Sequence, residues 1–105
     1  MKVLLLFTHG ISLNDWHDTG IINREIRFYE KINERYGFSF IFFTYGDSKD
    51  LKFAEKYDWL TVVPIYHYIP KLRSNLKNIL NVLLKSPKIF KENNLVFDII
   101  KTNQL

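Results

Sequence analysis

The residues Val3-Leu4-Leu5-Leu6-Phe7 are five apolar side chains in a row, entered from Lys2 and stopped at Thr8-His9-Gly10. A strand with one wet face alternates apolar and polar residues. A short run with no polar member is buried on both sides, which is the condition of a central strand in a parallel sheet. A chain that opens this way must supply helices for both faces of that sheet.

The supply is there. The polar stretch 11–20 reads as a loop, and it hands over to IINREIRFYEKINERYG, which carries Ile21, Ile22, Ile26, Phe28, Tyr29, Ile32 and Tyr36 on one side and closes on Gly37. This spacing predicts an amphipathic helix with a glycine stop. Glu25 breaks the pattern by falling in the apolar arc. FSFIFFTYG, rich in aromatic and β-branched residues, predicts a second strand, and Asp47 or Ser48 can cap a short helix behind it. LTVVPI predicts a third strand, with Pro64 marking a strand end or a sheet edge and His67 in YHYIP expected to end the strand. Pro70 opens a long helical stretch that Ser86-Pro87 is expected to break or restart, and LVFDII predicts a fourth strand.

Strand alternating with helix specifies right-handed βαβ units. The expected fold class is α/β, a Rossmann-like parallel sheet of strand order 3-2-1-4. In such a sheet ligands bind at the carboxyl ends beside the switch between strands one and four. That places the candidate site in the loop from His9 and Gly10 and in the turn Lys101 to Gln104. With no helix after the fourth strand, its apolar residues are expected to lie uncovered, as in an unfinished domain.

Composition removes several chemistries. With no cysteine among 105 residues there is no disulfide, thiolate metal site or thiol nucleophile. No GxGxxG, Walker lysine or GxSxG occurs, and His9, His17 and His67 match no metal-ligand spacing. No cofactor, metal or catalytic residue is assigned. The loop 10–20 can offer helix-start N–H groups to an anion. Glu25 is expected to pair with Lys101 or Arg24 and stiffen the floor of the cleft. Five apolar residues at the N-terminus are too few for a signal peptide, and nothing reaches the roughly 18 needed to span a membrane. The chain is therefore expected to be cytoplasmic.

The net charge of +4 is carried by the second half. Between Lys71 and Lys91 lie six bases and no acid, with Leu72, Leu76, Ile79, Leu80, Leu83 and Leu84 on one arc and Lys77, Lys85 and Lys88 opposite. This reads as an outer helix on the sheet, or as one able to rest on an anionic membrane, peripheral at the inner face. Nucleic acid is not expected, because the bases do not interleave with exposed aromatics.

Trp16 and Gly20 in the first loop, Arg24-Glu25 in the first helix, Thr44-Tyr45-Gly46 after strand two and Lys101-Thr102-Asn103-Gln104 after strand four stand in a recognisable order. Together they resemble the N-terminal domain of bacterial family 4-like glycosyltransferases of the GT-B fold, over the whole chain. The resemblance implies two Rossmann-like domains facing a cleft, the first holding the acceptor and the second the nucleotide-sugar donor. It further implies retaining transfer, commonly without a metal, to polysaccharide or lipid-linked acceptors. It would make Gly10, Gly20, Arg24, Lys101, Asn103 and Gln104 substrate-binding, with His9 added by its position at the mouth of strand one. The donor domain and its E-x7-E pattern are missing from the sequence. Residues 1–105 are thus expected to be a partial, acceptor-side domain, inactive alone. The alternatives are one subunit of a split transferase with a donor-domain partner chain, and a small non-catalytic α/β binding module. A receiver-like module would need a carboxylate after strand three, where Pro64 and Ile65 stand.

Overall fold

The computed structural model describes residues 1–70, 75–92 and 97–102. Among these residues four strands, β1 (Lys2–Leu6), β2 (Ser39–Thr44), β3 (Leu60–Pro64) and β4 (Ile99–Thr102), form one sheet in the order β3-β2-β1-β4, every pair parallel. The expected class and strand order are both found. The helices are α1 (Leu13–Asp18), α2 (Ile22–Tyr36), α3 (Ile65–Tyr68) and α4 (Asn75–Glu92), with a 3-10 helix at Ser48–Ala54.

Alternation along each strand divides the core in two. Val3, Leu5, Phe7, Phe40, Phe42, Leu60 and Val62 point to the side of α1 and α2, where Trp16, Ile22, Ile26 and Tyr29 cover them. Leu4, Ile41, Phe43 and Val63 point to the other side, under Ile65, Ile69, Val82 and Ile89. The result is three layers, with β1 and β2 buried on both faces. Burial of a side chain such as Phe42 or Leu5, both fully enclosed, is worth about 1.5–3 kcal/mol. α2 ends where expected, at Gly37, whose φ of 71° is a left-handed conformation that other residues adopt at a cost.

Three local expectations are corrected. The stretch 11–20 is not a plain loop: Ser12 accepts from the Asp15 N–H while the Asp15 side chain accepts from the Ser12 N–H, a capping box that starts α1. His67 lies in the one-turn helix α3 and not at the end of a strand. α4 runs unbroken through Pro87, and the Ser86 hydroxyl donates to the Val82 carbonyl inside it.

The orientation of α4 also differs from the predicted arc. Its described inward residues are Asn78, Val82 and Ile89, while Leu80 and Leu84 are exposed. Asn78 is drawn inward because its amide donates to the Tyr66 hydroxyl, which fixes the helix by a polar contact that leucine counting does not register. The start of the predicted helix at 71–74, including Leu72, and the side chains of Leu76, Ile79 and Leu83 lie outside the described residues.

β4 contrasts with the rest of the sheet. All four of its residues are exposed, and Ile100 is 55% accessible. Register places Ile99 beside Val3 and Ile100 beside Leu4, so the two isoleucines lie on opposite faces and both are uncovered.

Candidate functional site

A cleft of about 460 Å³ opens at the carboxyl ends of β1, β2 and β3. One wall is the loop leaving β1, with Gly10, Ser12 and Asn14; the other is the segment after β2, with Tyr45, Gly46 and Asp47, and Tyr66 of α3 also lines it. Backbone bonds tie the walls together: the Tyr45 N–H donates to the Ile11 carbonyl at 3.0 Å and the Tyr66 N–H to that of Gly46 at 2.9 Å.

At its floor lies Asp50, on the 3-10 helix and 0% exposed. One carboxylate oxygen accepts from the Leu13 N–H at 3.0 Å and from the Thr44 hydroxyl at 2.6 Å. The other accepts from the Asn14 N–H at 3.0 Å. A carboxylate can be buried only when donors replace its water, and here three of them converge from β2 and α1. Gly46 is required by the same arrangement, since a Cβ there would overlap the Asp50 carboxylate. The Gly46 N–H in turn donates to the Thr44 hydroxyl oxygen at 3.3 Å. Thr44 and Gly46 therefore enclose Asp50, and Tyr45 between them faces the cleft.

This geometry redirects the anion-binding expectation. The N–H groups of Leu13 and Asn14 are bonded to Asp50, and that of Asp15 to the Ser12 hydroxyl oxygen. The anion at the start of α1 is the protein's own. Asp15 and Asp47 add two more carboxylates to the lining against one Lys49, so the cleft is acidic on balance. Its aromatic side is built by Tyr45, met edge-on by His9 at 4.8 Å between ring centroids and at a tilt by Tyr66 at 6.4 Å. Burial, and then the neighbouring Tyr66, raise the Tyr45 phenol above its ordinary pKa, so it stays a neutral donor.

Of the sequence-predicted residues, Gly10 lines this cleft and His9 stands at its edge against Tyr45. Gly20, with φ 81°, forms the turn between α1 and α2, and Arg24 is exposed on α2; neither lines it. Lys101 is placed over the rings of Phe28 and Tyr29, its ammonium 6.0 and 5.8 Å from their centroids. Asn103 and Gln104 lie outside the described residues. The cleft thus sits on the β1–β2–β3 side, away from the β1/β4 switch where the sequence had placed it, because the loop after β1 bends toward β2 to reach Asp50.

For Glu25 the ion partner is Arg24, at 3.4 Å, and among the described residues no ion pair joins it to Lys101. The two meet indirectly. Tyr29 is pushed up to about 12, first by burial and then by the charge of Glu25, while Lys101 rests on its ring. A second recess of about 440 Å³, between α1, α2 and the 3-10 helix, contains His17, Phe53 and Tyr57.

Asp50, Lys49 and Tyr66 were not singled out in the sequence. The available signal was an acid six residues after Thr44, inside a helix whose cap, Asp47, already accounted for one carboxylate. Among the described residues no group of three or more His, Asp or Glu is placed to hold a metal ion, and no helix is long and apolar enough to cross a membrane.

These features define a three-layered, Rossmann-like α/β protein with an acidic, aromatic cleft at the carboxyl edge of its sheet. No family model, curated protein or solved structure matches the chain.

Proposed function

We propose that the chain is the acceptor-side part of a GT-B glycosyltransferase that moves a sugar from a nucleotide-sugar donor to a polysaccharide or lipid-linked acceptor. The observation that carries this reading is the position of Thr44-Tyr45-Gly46. A motif on which the resemblance rests forms one wall of a cleft at the carboxyl edge of a parallel sheet, where α/β proteins bind ligands. The cleft chemistry supports a neutral, hydroxylated acceptor. Tyr45, Tyr66 and His9 offer ring faces, and Asp15, Asp47 and Lys49 offer acceptors and a donor for hydroxyl groups. An acidic lining disfavours a diphosphate on this wall, so the donor would be held by a second domain, carried in the same polypeptide or by a partner chain.

The test is acceptor-dependent release of nucleoside diphosphate from a nucleotide sugar. Release is expected from the full-length gene product or from this chain with its donor-domain partner, and not from this chain alone. A full-length product that binds no nucleotide sugar by calorimetry would falsify the transferase reading. That result would favour a non-catalytic α/β binding module, for which one observation already speaks: the α1 amides that could hold a phosphate are bonded to Asp50.

A further inference from the structure

We propose that the recess between α1, α2 and the 3-10 helix binds a small aromatic anion, a planar ring carrying a carboxylate or phosphate group. At about 440 Å³ it has the size of pockets that enclose such molecules. It shares no lining residue with the cleft at the carboxyl edge of the sheet. By accepting from the Leu13 and Asn14 N–H groups, Asp50 ties the 3-10 helix to the start of α1. The cleft takes the first residues of both helices, and the recess takes later ones, His17 on α1 and Lys52 and Phe53 on the 3-10 helix.

The lining divides into an apolar floor and a charged rim. Ile22 and Ile26 of α2 are buried, Phe53 and Tyr57 are partly buried against the core, and Lys52 and Lys56 are exposed. Both rings are already held by neighbours: Phe53 meets His17 at 5.9 Å between centroids and Tyr57 meets Trp59 at 5.3 Å. Rings fixed in this way lose little freedom when a ligand ring packs on them. The Lys52 ammonium stands 5.0 Å from the centre of the Phe53 ring, a contact that positions the charge without neutralising it. Among the described residues neither Lys52 nor Lys56 forms an ion pair, and Glu55 is the one carboxylate in the lining. Asp18 stands outside the lining, where it meets His17 at 3.5 Å and accepts from the Asn14 amide at 3.3 Å. The recess is therefore basic on balance, opposite in sign to the cleft, and Asn23 adds an amide at its rim. A ring on the floor with its anion at the lysines satisfies both halves. A neutral sugar would leave the lysines unused, and free phosphate would leave the apolar floor wet.

The proposal is independent of the transferase reading, because its site lies apart from the cleft and its test needs no sugar donor. Amide NMR spectra of the isotope-labelled chain are titrated separately with adenosine monophosphate, indoleacetate, adenosine and inorganic phosphate. The two aromatic anions are expected to shift the signals of Asn23, Phe53 and Tyr57 and to leave those of Gly10 and Gly46 in place. Adenosine lacks the charge and phosphate lacks the ring, so each is expected to bind at least roughly tenfold more weakly. Tighter binding of the monophosphate assigns a nucleotide, and tighter binding of indoleacetate assigns an aromatic carboxylate. The double variant Lys52→Gln/Lys56→Gln changes two exposed side chains and should keep the signal dispersion of the native chain. It is expected to lower the affinity for the better aromatic anion by roughly tenfold. No shifts with either aromatic anion at millimolar concentration, shifts confined to the cleft, adenosine or phosphate binding as tightly as the aromatic anions, or full affinity in the double variant overturns the proposal.

Discussion

The two corners of the molecule that hold a carboxylate against the core solve the same problem differently. At the cleft, Asp50 is wholly enclosed and held by two backbone N–H groups and a hydroxyl at 2.6–3.0 Å. Beside β4, Glu25 is only half-buried, touches Arg24 at 3.4 Å and acts on Tyr29 through its field. Backbone donors are fixed by the elements that carry them, whereas lysine and arginine must lose side-chain freedom to serve. Full burial of a charge therefore occurs where two elements aim amides at one point. A nearby base sustains only half-burial.

The largest test of this contrast is Asp50→Ala, which leaves three buried donors without a partner and is expected to cost about 3–5 kcal/mol of stability by urea unfolding. Glu25→Ala measured in parallel should cost less than about 1 kcal/mol; near-equal losses would break the comparison. Gly46→Ala forces a Cβ into the Asp50 carboxylate and is expected to cost about 1–3 kcal/mol.

At the second corner the effect is electrostatic and appears at alkaline pH. The folded state holds the Tyr29 proton more tightly than the unfolded chain, whose tyrosines titrate near 10. The associated stability is complete below pH 10 and is lost as the pH rises toward about 12, about 3 kcal/mol in all. The smallest change is Glu25→Gln. It should alter stability by less than about 0.5 kcal/mol yet lower the Tyr29 pKa, read by tyrosinate absorbance; an unmoved titration would show that burial alone sets it.

The first three strands were legible because their signals are local; the fourth was expected at LVFDII, but β4 is Ile99–Thr102, so Lys101 and Thr102 lie inside the strand and not in the turn after it. Val3 to Leu5 and Phe40 to Thr44 are buried by their own composition, and Gly37 ends α2 by its own conformational freedom. The strand order followed from the handedness of parallel crossovers. The cleft's rim was legible at His9 and Gly10 and at Tyr45-Gly46, but its floor was not, since it depends on residues 36 apart, Asn14 and Asp50, meeting across elements. The inward turn of α4 was hidden for a related reason: a leucine-rich helix has several faces apolar enough to bury, and the Asn78 to Tyr66 bond chooses among them.

The central place of β1 bears on the order in which the protein is made. Lys2 pairs with Ser39 and Val3 with Ile99, so β1, made before the other three strands, must wait for neighbours that follow much later. At roughly 5–20 residues per second, β2 arrives about 2–7 s after β1, and β4 about 5–20 s after it. For that interval the five apolar residues Val3 to Phe7 have no strand beside them, which makes the segment an aggregation hazard during synthesis.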